Sequence, residues 1–217
     1  MGRKKKTDTF WLSYSDLMTS LFFIMLVLFI VCIIKMKSTL DGQQVEVERL
    51  QSILQLEAQF KELSQSSSLR YDEEHKTFIA KDLEGIEIFN PESDVIKQEY
   101  LDKVDKVGRD LEEVLKALYD GNKNFSYLLI IEGNAANSYL HPMDVDREYT
   151  YNLSYKRSLA LYYRWTKIDR IDLRQYNTEI QICGSGLNGI NRDNKVEENN
   201  KRFVIQIIPK ISRPAVK

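Results

Sequence analysis

The sequence predicts an α+β protein with one N-terminal transmembrane helix, a helical linker and a C-terminal α/β sandwich, in which helices cover one face of a mixed sheet. Three observations predict this class. A long apolar run without charges lies near the N-terminus of the 217 residues. Strand-like segments alternate with two amphipathic helices after about residue 71. The segment between these parts has helical spacing and no proline.

The charge balance and the rare residue types exclude several classes of protein. The chain has 31 Lys and Arg against 32 Asp and Glu, so it lacks the basic excess of a nucleic-acid binder. Cys32 and Cys183 cannot form a disulfide framework or a zinc quartet. The two histidines, His75 and His141, have no partners at metal-ligand spacing. No phosphate loop or catalytic triad is recognisable, so we expect neither an enzyme nor a bound cofactor.

The apolar run is long enough to cross a membrane. Residues 17–34 carry no charge, and a helix over 10–34 spans a hydrocarbon core of ~30 Å. A cleaved signal peptide is the alternative, but 18 apolar residues are long for one and no small-residue cleavage site follows. Four basic residues, Arg3–Lys6, precede the span. The positive-inside rule therefore predicts a cytoplasmic tail at 1–9 and a C-terminal part across the membrane.

Asp16 is the unusual residue of this span. An aspartate inside a membrane helix costs about 2.5–3.5 kcal/mol on insertion scales, and a simple anchor has no use for it. Either Asp16 is solvated at the headgroup level, or it is a buried carboxyl group that binds and releases an ion. Small hydroxyl residues nearby, Ser13, Ser15, Thr19 and Ser20, suit close helix packing and could hydrogen-bond the carboxyl group. A lone helix encloses no lumen, so transport would need further copies or a polytopic partner.

The residues around Asp16 carry a family resemblance. The run Phe10–Thr19, FWLSYSDLMT, resembles the W-x-x-S-Y-x-D-[FL]-M-T span entrance of MotB-type stator subunits, including the ZorB subunit of Zorya phage-defence systems. The resemblance implies that Asp16 carries a translocated proton or sodium ion, with Ser13, Tyr14 and Thr19 beside it. It also implies a homodimer in the bacterial inner membrane, inside a ring of five polytopic MotA- or ZorA-like subunits.

The linker is assigned to residues 35–70. Val47, Leu50, Leu54 and Phe60 roughly follow helical spacing, which favours a stalk that is either paired or a solvated single helix. The serine-rich stretch 64–68 is predicted to be a flexible joint before the globular domain.

Residues 71–217 are predicted to form the globular domain. Amphipathic helices are expected at two places, 96–119 and 151–167. Strands are expected at 77–80, 85–89, 127–132, 178–183 and 203–208.

This domain resembles the OmpA-like peptidoglycan-binding module over roughly residues 75–210. Ile131–Ala135 resembles the family's I-E-G-H-T-D strand end, and Leu153–Ser158 its L-S-x-x-R-A helix. Asn200–Ile205 resembles N-R-R-V-E-I, and Gly184 and Gly186 lie where the family has a G-x-G turn.

The resemblance implies peptidoglycan as a partner and a set of contact residues. Arg157 would grip the carboxylates of the stem peptide, a task that suits a guanidinium fork. The other implied binding residues come from the matched motifs: Asn134, Leu153, Asn200 and Arg202.

One position departs from the family pattern. The loop aspartate that the family uses beside the arginine corresponds to Ala136 here, and Asp144 or Asp146 are the candidates to replace it. The alternative is that Arg157 simply pairs with a neighbouring acid.

Two functions compete at this point. One is the B subunit of an ion-driven motor that is anchored to the cell wall, and the other is a structural wall anchor without transport. Asp16 favours the motor. Among motors, a Zorya-type defence role is preferred over a flagellar stator, because no amphipathic plug follows the span and the chain is short. Proton and sodium both remain open.

Overall fold

The computed structural model describes most of the chain: residues 5–123, 125–137, 147–189, 192–193 and 195–210. It divides into two units, Met1–Ser52 and Ile53–Lys217, which we call the N-terminal unit and the C-terminal domain.

A single helix, α1, runs from Lys5 to Ser66. It contains no proline and only one glycine, Gly42, so nothing in its sequence breaks the backbone hydrogen bonds. The stretch Ser13–Gln44 is long and apolar enough to cross a membrane. Its apolar side chains are exposed all round the helix, as the lipid-facing surface of a span would be. The predicted N-terminal apolar helix is confirmed.

The serine-rich segment after the linker is not a flexible joint, so that prediction was wrong. Helix α1 continues through Ser66, and Lys81 Nζ donates hydrogen bonds to the carbonyls of Ser64 at 2.7 Å and Ser67 at 2.8 Å. The backbone N–H of buried Ser68 donates to Asp110 Oδ2 at 2.5 Å. Hydrogen bonds within the C-terminal domain therefore order the serines.

The last turns of α1 belong to the core of the C-terminal domain. Leu56 and Phe60 are almost fully buried. The Phe60 ring lies 5.3 Å from the ring of Tyr71 and 5.4 Å from that of Phe78, measured between centroids. Aromatic contacts at these distances add to the area that the rings bury.

The sheet of the C-terminal domain is mixed and has five described strands in the order β1-β2-β5-β3-β4. Strands β3 and β4 are parallel, and the other neighbours are antiparallel. The strands are β1 (Leu69–Asp72), β2 (Thr77–Ala80), β3 (Ser126–Gly133), β4 (Thr178–Gly184) and β5 (Phe203–Lys210).

Two α-helices pack on this sheet, α2 (Leu101–Gly121) and α3 (Glu148–Tyr163). Alternate side chains of β3, Tyr127, Leu129 and Ile131, are fully buried against them. Short 3₁₀ turns lie at Lys81–Leu83, Gln98–Tyr100 and Glu197–Asn200. The α+β class with helices over a mixed sheet is confirmed.

The packing of α2 against the turn that follows α3 depends on one small residue. After α3, the chain widens into a π turn at Arg164–Ile168. This turn buries Trp165, whose Nε1 donates to the Val104 carbonyl at 2.8 Å. The indole occupies the space that a Cβ on Gly108 would need. Glycine at this position lets α2 receive the tryptophan.

The strand predicted at 85–89 is absent from the sheet, so that prediction was wrong. Gly85 has a φ of +72°, and the peptide groups that follow bond to a nearby loop instead of a strand. Lys97 donates to the Ile88 carbonyl at 2.9 Å, and Asn90 donates to the Val95 carbonyl at 3.0 Å. Ile88 and Phe89 are buried, which explains the strand-like pattern of the segment.

Candidate functional site

Asp16 lies on a polar stripe of α1. Residues three or four positions apart share a helix face, so Ser13, Thr19 and Ser20 lie on the same side as Asp16. From Ser13 to Ser20 the stripe covers about 10 Å along the helix axis, at 1.5 Å per residue. Beyond Ser20 the same face continues with Phe23, and it stays apolar through the span.

The hydroxyl groups of this stripe bond to the backbone of their own helix. Thr19 Oγ1 donates to the carbonyls of Ser15 at 2.7 Å and Asp16 at 3.0 Å, and Ser20 Oγ donates to the Leu17 carbonyl at 2.9 Å. Within the described part of the chain, no donor pairs with the Asp16 carboxyl group. The other motif residue, Tyr14, packs edge-on against Trp11, with ring centroids 6.4 Å apart.

The second candidate site is built where β3 and β4 end beside α3. Gly133 and Gly184 are paired at the carboxyl ends of these parallel strands. A Cβ on Gly133 would overlap the Ser154 carbonyl, and one on Gly184 would overlap the Tyr155 amide. Ser154 Oγ accepts a hydrogen bond from the backbone N–H of Gly186 at 2.9 Å. The two glycines therefore bring the first turns of α3 directly onto the strand ends.

Arg157 lies one turn further along α3 and is only 4% exposed. Its Nε donates to the Ser93 carbonyl at 3.1 Å, and its guanidinium carbon lies 5.2 Å from the centre of the Phe89 ring. Burial lowers the pKa of Arg157, while the nearby Glu87 and Asp94 carboxylates act in the opposite direction. Among the described residues, no carboxylate lies within 4.0 Å of it, so the predicted alternative of a local acid partner is not seen there.

The other residues expected to bind the wall hold the scaffold together. Asn134 is buried, and its side-chain amide lies 2.5 Å from Ser185 Oγ. Its backbone N–H donates to the Arg202 carbonyl at 2.9 Å, which ties the end of β3 to the start of β5. Leu153 is half-buried on α3.

Asn200 and Arg202 lie just before β5, whose first residue, Phe203, pairs with Gly133 at the end of β3. Asn200 is 2% exposed, and its Nδ2 donates to the Asp193 carbonyl at 2.9 Å, while its Oδ1 accepts from the Asp193 N–H at 2.8 Å. Burial lowers the pKa of Arg202, and the carboxylates of Glu84 and Asp193 oppose that change. The Asn200 side chain thus orders the loop around Asp193.

The loop after β3 carries Ala136, the position that the sequence comparison above found to depart from the OmpA-like pattern. Ala135 donates its N–H to the Gly186 carbonyl at 2.8 Å, and Asn137 donates its N–H to Glu197 Oε1 at 2.5 Å, so Ala136 between them lies in an ordered stretch. The proposed substitutes, Asp144 and Asp146, lie outside the described residues, as does His141.

An open groove lies along α3 beyond Arg157. It has a volume of about 670 Å³ and is lined by Ile96 and Leu101 on one side and by Ala160 and Tyr163 on the other. Charged side chains line it as well, namely Asp94, Arg164 and Lys167. Sequence reasoning did not find this groove, because residues 94–101 and α3 meet only in the folded domain.

Comparison with known proteins gives fold likenesses alone. No family model matches the chain, and a search of curated proteins finds no match either. Among solved structures, an outer membrane protein from Borrelia burgdorferi is 24% identical, with a TM-score of 0.36, covering 56% of this chain and 82% of that one.

A MotB-like protein from Desulfovibrio vulgaris is 13% identical, with a TM-score of 0.42, covering 81% of this chain and 98% of that one. The peptidoglycan-associated lipoprotein from Burkholderia pseudomallei is 14% identical, with a TM-score of 0.37, covering 56% and 87%. At these values, none of the three says what this chain binds.

Proposed function

We propose that the chain is the B subunit of an ion-driven motor in the bacterial inner membrane, with Asp16 as the residue that carries the ion. The observation that supports this best is the polar stripe around Asp16 at the start of an otherwise apolar run that ends at Ile34. A structural anchor would be more stable with an apolar residue at this position, because a charged group in the hydrocarbon region is costly. The likeness of Phe10–Thr19 to the MotB-type span entrance supports the same role.

In the proposed mechanism, the Asp16 carboxyl group binds and releases the transported ion in each cycle. In its charged form Asp16 attracts a proton or sodium ion, and in its neutral form it can face apolar surroundings at much lower cost. A partner that presents water to one side and then the other would thereby move ions through the membrane. Since one helix has no lumen, we propose a homodimer within a ring of five MotA- or ZorA-like polytopic subunits.

The C-terminal domain is proposed to lie in the periplasm and to hold peptidoglycan through Arg157. The guanidinium is buried and stacked, and it is oriented by the Ser93 carbonyl. Its position is therefore set before a ligand arrives. A planar fork fits a carboxylate with two hydrogen bonds, which is the chemistry that a stem peptide offers. Such a domain would bind without catalysing a reaction, so no enzymatic activity is proposed.

For the biological role we propose anti-phage defence of the Zorya type, with the flagellar stator as the second candidate. The motif around Asp16 is common to both. The absence of an amphipathic plug after Lys37 favours defence, because the exposed residues between Lys37 and Gln44 are mostly polar. Deletion of the gene from its native host separates the two: loss of phage resistance with normal swimming supports defence, and loss of swimming supports the stator.

The transport proposal is tested with Asp16→Asn. Asparagine keeps the size of the side chain and its hydrogen bonding but cannot carry a cycling charge. The variant should insert and assemble with its partner while ion flux and motor-dependent activity disappear. Asp41→Asn removes a carboxylate from the same helix beyond the apolar run and should leave flux unchanged. An Asp16→Asn complex with full flux would exclude the role of Asp16.

A further inference from the structure

Beyond the membrane span, α1 carries a narrow apolar stripe. The stretch 35–52 is mostly polar, and its large apolar residues fall on this stripe with one exception, Val45. The stripe begins at the end of the span and consists of Ile33, Met36, Leu40, Val47 and Leu50. Its members beyond the span are each more than half exposed. A row of large apolar side chains on a polar helix indicates a surface that a partner covers.

The spacing of the stripe is that of a coiled coil. Its positions recur after three and then four residues, as the a and d positions of a heptad do. Position a is occupied by Ile33, Leu40 and Val47, and position d by Met36, Gln43 and Leu50. A stripe made of a and d positions alone is narrower than the apolar face of a helix that packs on the core of a globular protein. The partner that it fits is therefore another helix.

A second copy of this chain supplies such a helix. Copies that cross the membrane in the same direction have parallel helices, and β-branched residues at a with leucine at d favour two parallel strands. In a parallel pair, each g position of one helix faces the following e position of the other. None of these flanking pairs brings like charges together: Cys32 with Lys37, Thr39 with Gln44, and Glu46 with Gln51.

We propose that residues 33–50 of two copies form a parallel coiled coil that begins at the outer end of the span. This inference rests on the proposed homodimer and names the surface that joins the two chains beyond the apolar run. The seam covers about two and a half heptads, a length at which free helices are only marginally stable in water. Two neighbouring spans hold the helices at a high effective concentration, which offsets the short length.

Gln43 is the polar residue of the seam, and it sets the alignment of the two helices. In a parallel pair in register, the two Gln43 side chains face each other, and their amide groups can exchange hydrogen bonds. A shifted register places each amide against an apolar side chain and leaves it without a partner. A polar residue in the seam thus lowers stability but specifies one register.

The seam is tested by disulfide cross-linking at two matched positions. The full chain is produced with its polytopic partner in native membranes, with Cys32 and Cys183 replaced by serine. Val47→Cys places a thiol at position a, and Val45→Cys places one at position f on the outer side of the helix. Both variants replace valine and lie two residues apart, so each controls for the reactivity of the other. The membranes are oxidised with copper phenanthroline, and the linked dimer is measured on a denaturing gel.

Val47→Cys should form linked dimer at least about 5-fold faster than Val45→Cys, because only thiols at facing a positions come within disulfide reach. Adding Gln43→Glu to the Val47→Cys chain should slow the linkage by about 2- to 5-fold, since two carboxylates would then face each other in the seam.

Equal linkage at the two valine positions, or an unchanged rate with Gln43→Glu, would overturn the coiled coil. Native mass spectrometry of the solubilised chain separates this failure from that of the homodimer. A dimer by mass in which Val47→Cys does not link overturns the seam and leaves the homodimer in place. A monomer by mass excludes the homodimer and the seam together.

Discussion

Arg164 holds the carboxylate of Asp105 with two hydrogen bonds, from Nε at 2.5 Å and from Nη2 at 2.6 Å. The two side chains are 18% and 13% exposed, so this bidentate pair between the π turn and α2 is largely shielded from water. The guanidinium lowers the pKa of Asp105. Nearby Asp169 has its pKa raised by burial and by the Asp105 charge, and its Oδ2 is buried without a hydrogen-bond partner in the described structure.

Asp105→Asn should lower the free energy of unfolding by about 2 kcal/mol at pH 7, because it leaves a shielded guanidinium without its partner. A carboxyl group whose pKa is lowered on folding stabilises above its unfolded pKa and loses that contribution as the pH falls. The difference between wild type and variant should therefore shrink below about pH 4. The measurement is thermal unfolding of the full chain in detergent. It is followed by Trp165 fluorescence in a Trp11→Phe background, since the chain has two tryptophans.

Asp169→Asn should change the free energy of unfolding in the opposite direction and stabilise the protein. Its raised pKa means that folding favours the neutral form, so the charged form costs stability as the pH rises above the unfolded pKa of about 4. Asparagine removes that cost, and the variant should unfold at a higher temperature than wild type at pH 7. At pH 3 the two proteins should unfold alike. Asp120→Asn, at an exposed acid of α2, is the control for a change in net charge; if it stabilises equally, the effect is not specific to Asp169.

The Arg164–Asp105 pair is a contact that the sequence does not predict, whereas other features are predictable from local patterns. The helix α2 and the strand β3 were predicted because their apolar periodicities are strong, and Asp16 and Arg157 were singled out by short motifs. Arg164 and Asp105 are 59 positions apart, and no local pattern indicates that they meet. Strand β1 was missed because Leu69–Asp72 has only four residues and follows a serine-rich stretch.

Gly184→Ala should destabilise the C-terminal domain by about 1–3 kcal/mol, because the new Cβ meets the backbone of α3, which cannot move aside as a side chain can. Gly42→Ala provides the matched control: nothing lies within 4 Å of a Cβ there, and alanine favours the helix by roughly 0.5–1 kcal/mol. The measurement is again thermal unfolding of the full chain in detergent, followed by Trp165 fluorescence. A Gly184→Ala protein that unfolds like wild type would mean that α3 does not sit this close to the strand end.

Asp16→Glu should retain part of the ion flux, because the carboxyl group remains and is displaced by only about one methylene. The comparison with Asp16→Asn separates chemistry from position. Ion flux in the glutamate variant but not in the asparagine variant would identify the carboxyl group at position 16 as the titrating group. Equal loss of flux in both assembled complexes would show that flux depends on the exact position of the carboxyl group on the stripe. Both variants need to co-purify with the polytopic partner before the comparison counts.

Arg157→Ala should abolish most of the binding of the full chain to peptidoglycan sacculi, with a loss of about 2–5 kcal/mol for a shielded charge-assisted contact. Arg157→Lys should also be weak, although it keeps the charge. A lysine ammonium lacks the planar guanidinium, whose Nε donates to the Ser93 carbonyl and which lies over the Phe89 ring. Sedimentation of the detergent-solubilised protein with sacculi measures the effect. Arg174→Ala, which removes an exposed arginine from the loop before β4, is the control.

Since Arg157 is buried, the alanine variant could fail for lack of folding, so its unfolding temperature has to be compared with that of wild type. The lysine variant keeps the aliphatic stem in place and is the stricter test of the guanidinium itself.

A motor also needs a fixed point: an unanchored domain would turn with the ion flow and do no work on a partner. Arg157→Lys should therefore reduce motor-dependent activity while ion flux continues. Normal activity together with lost sacculus binding would separate the motor from the wall.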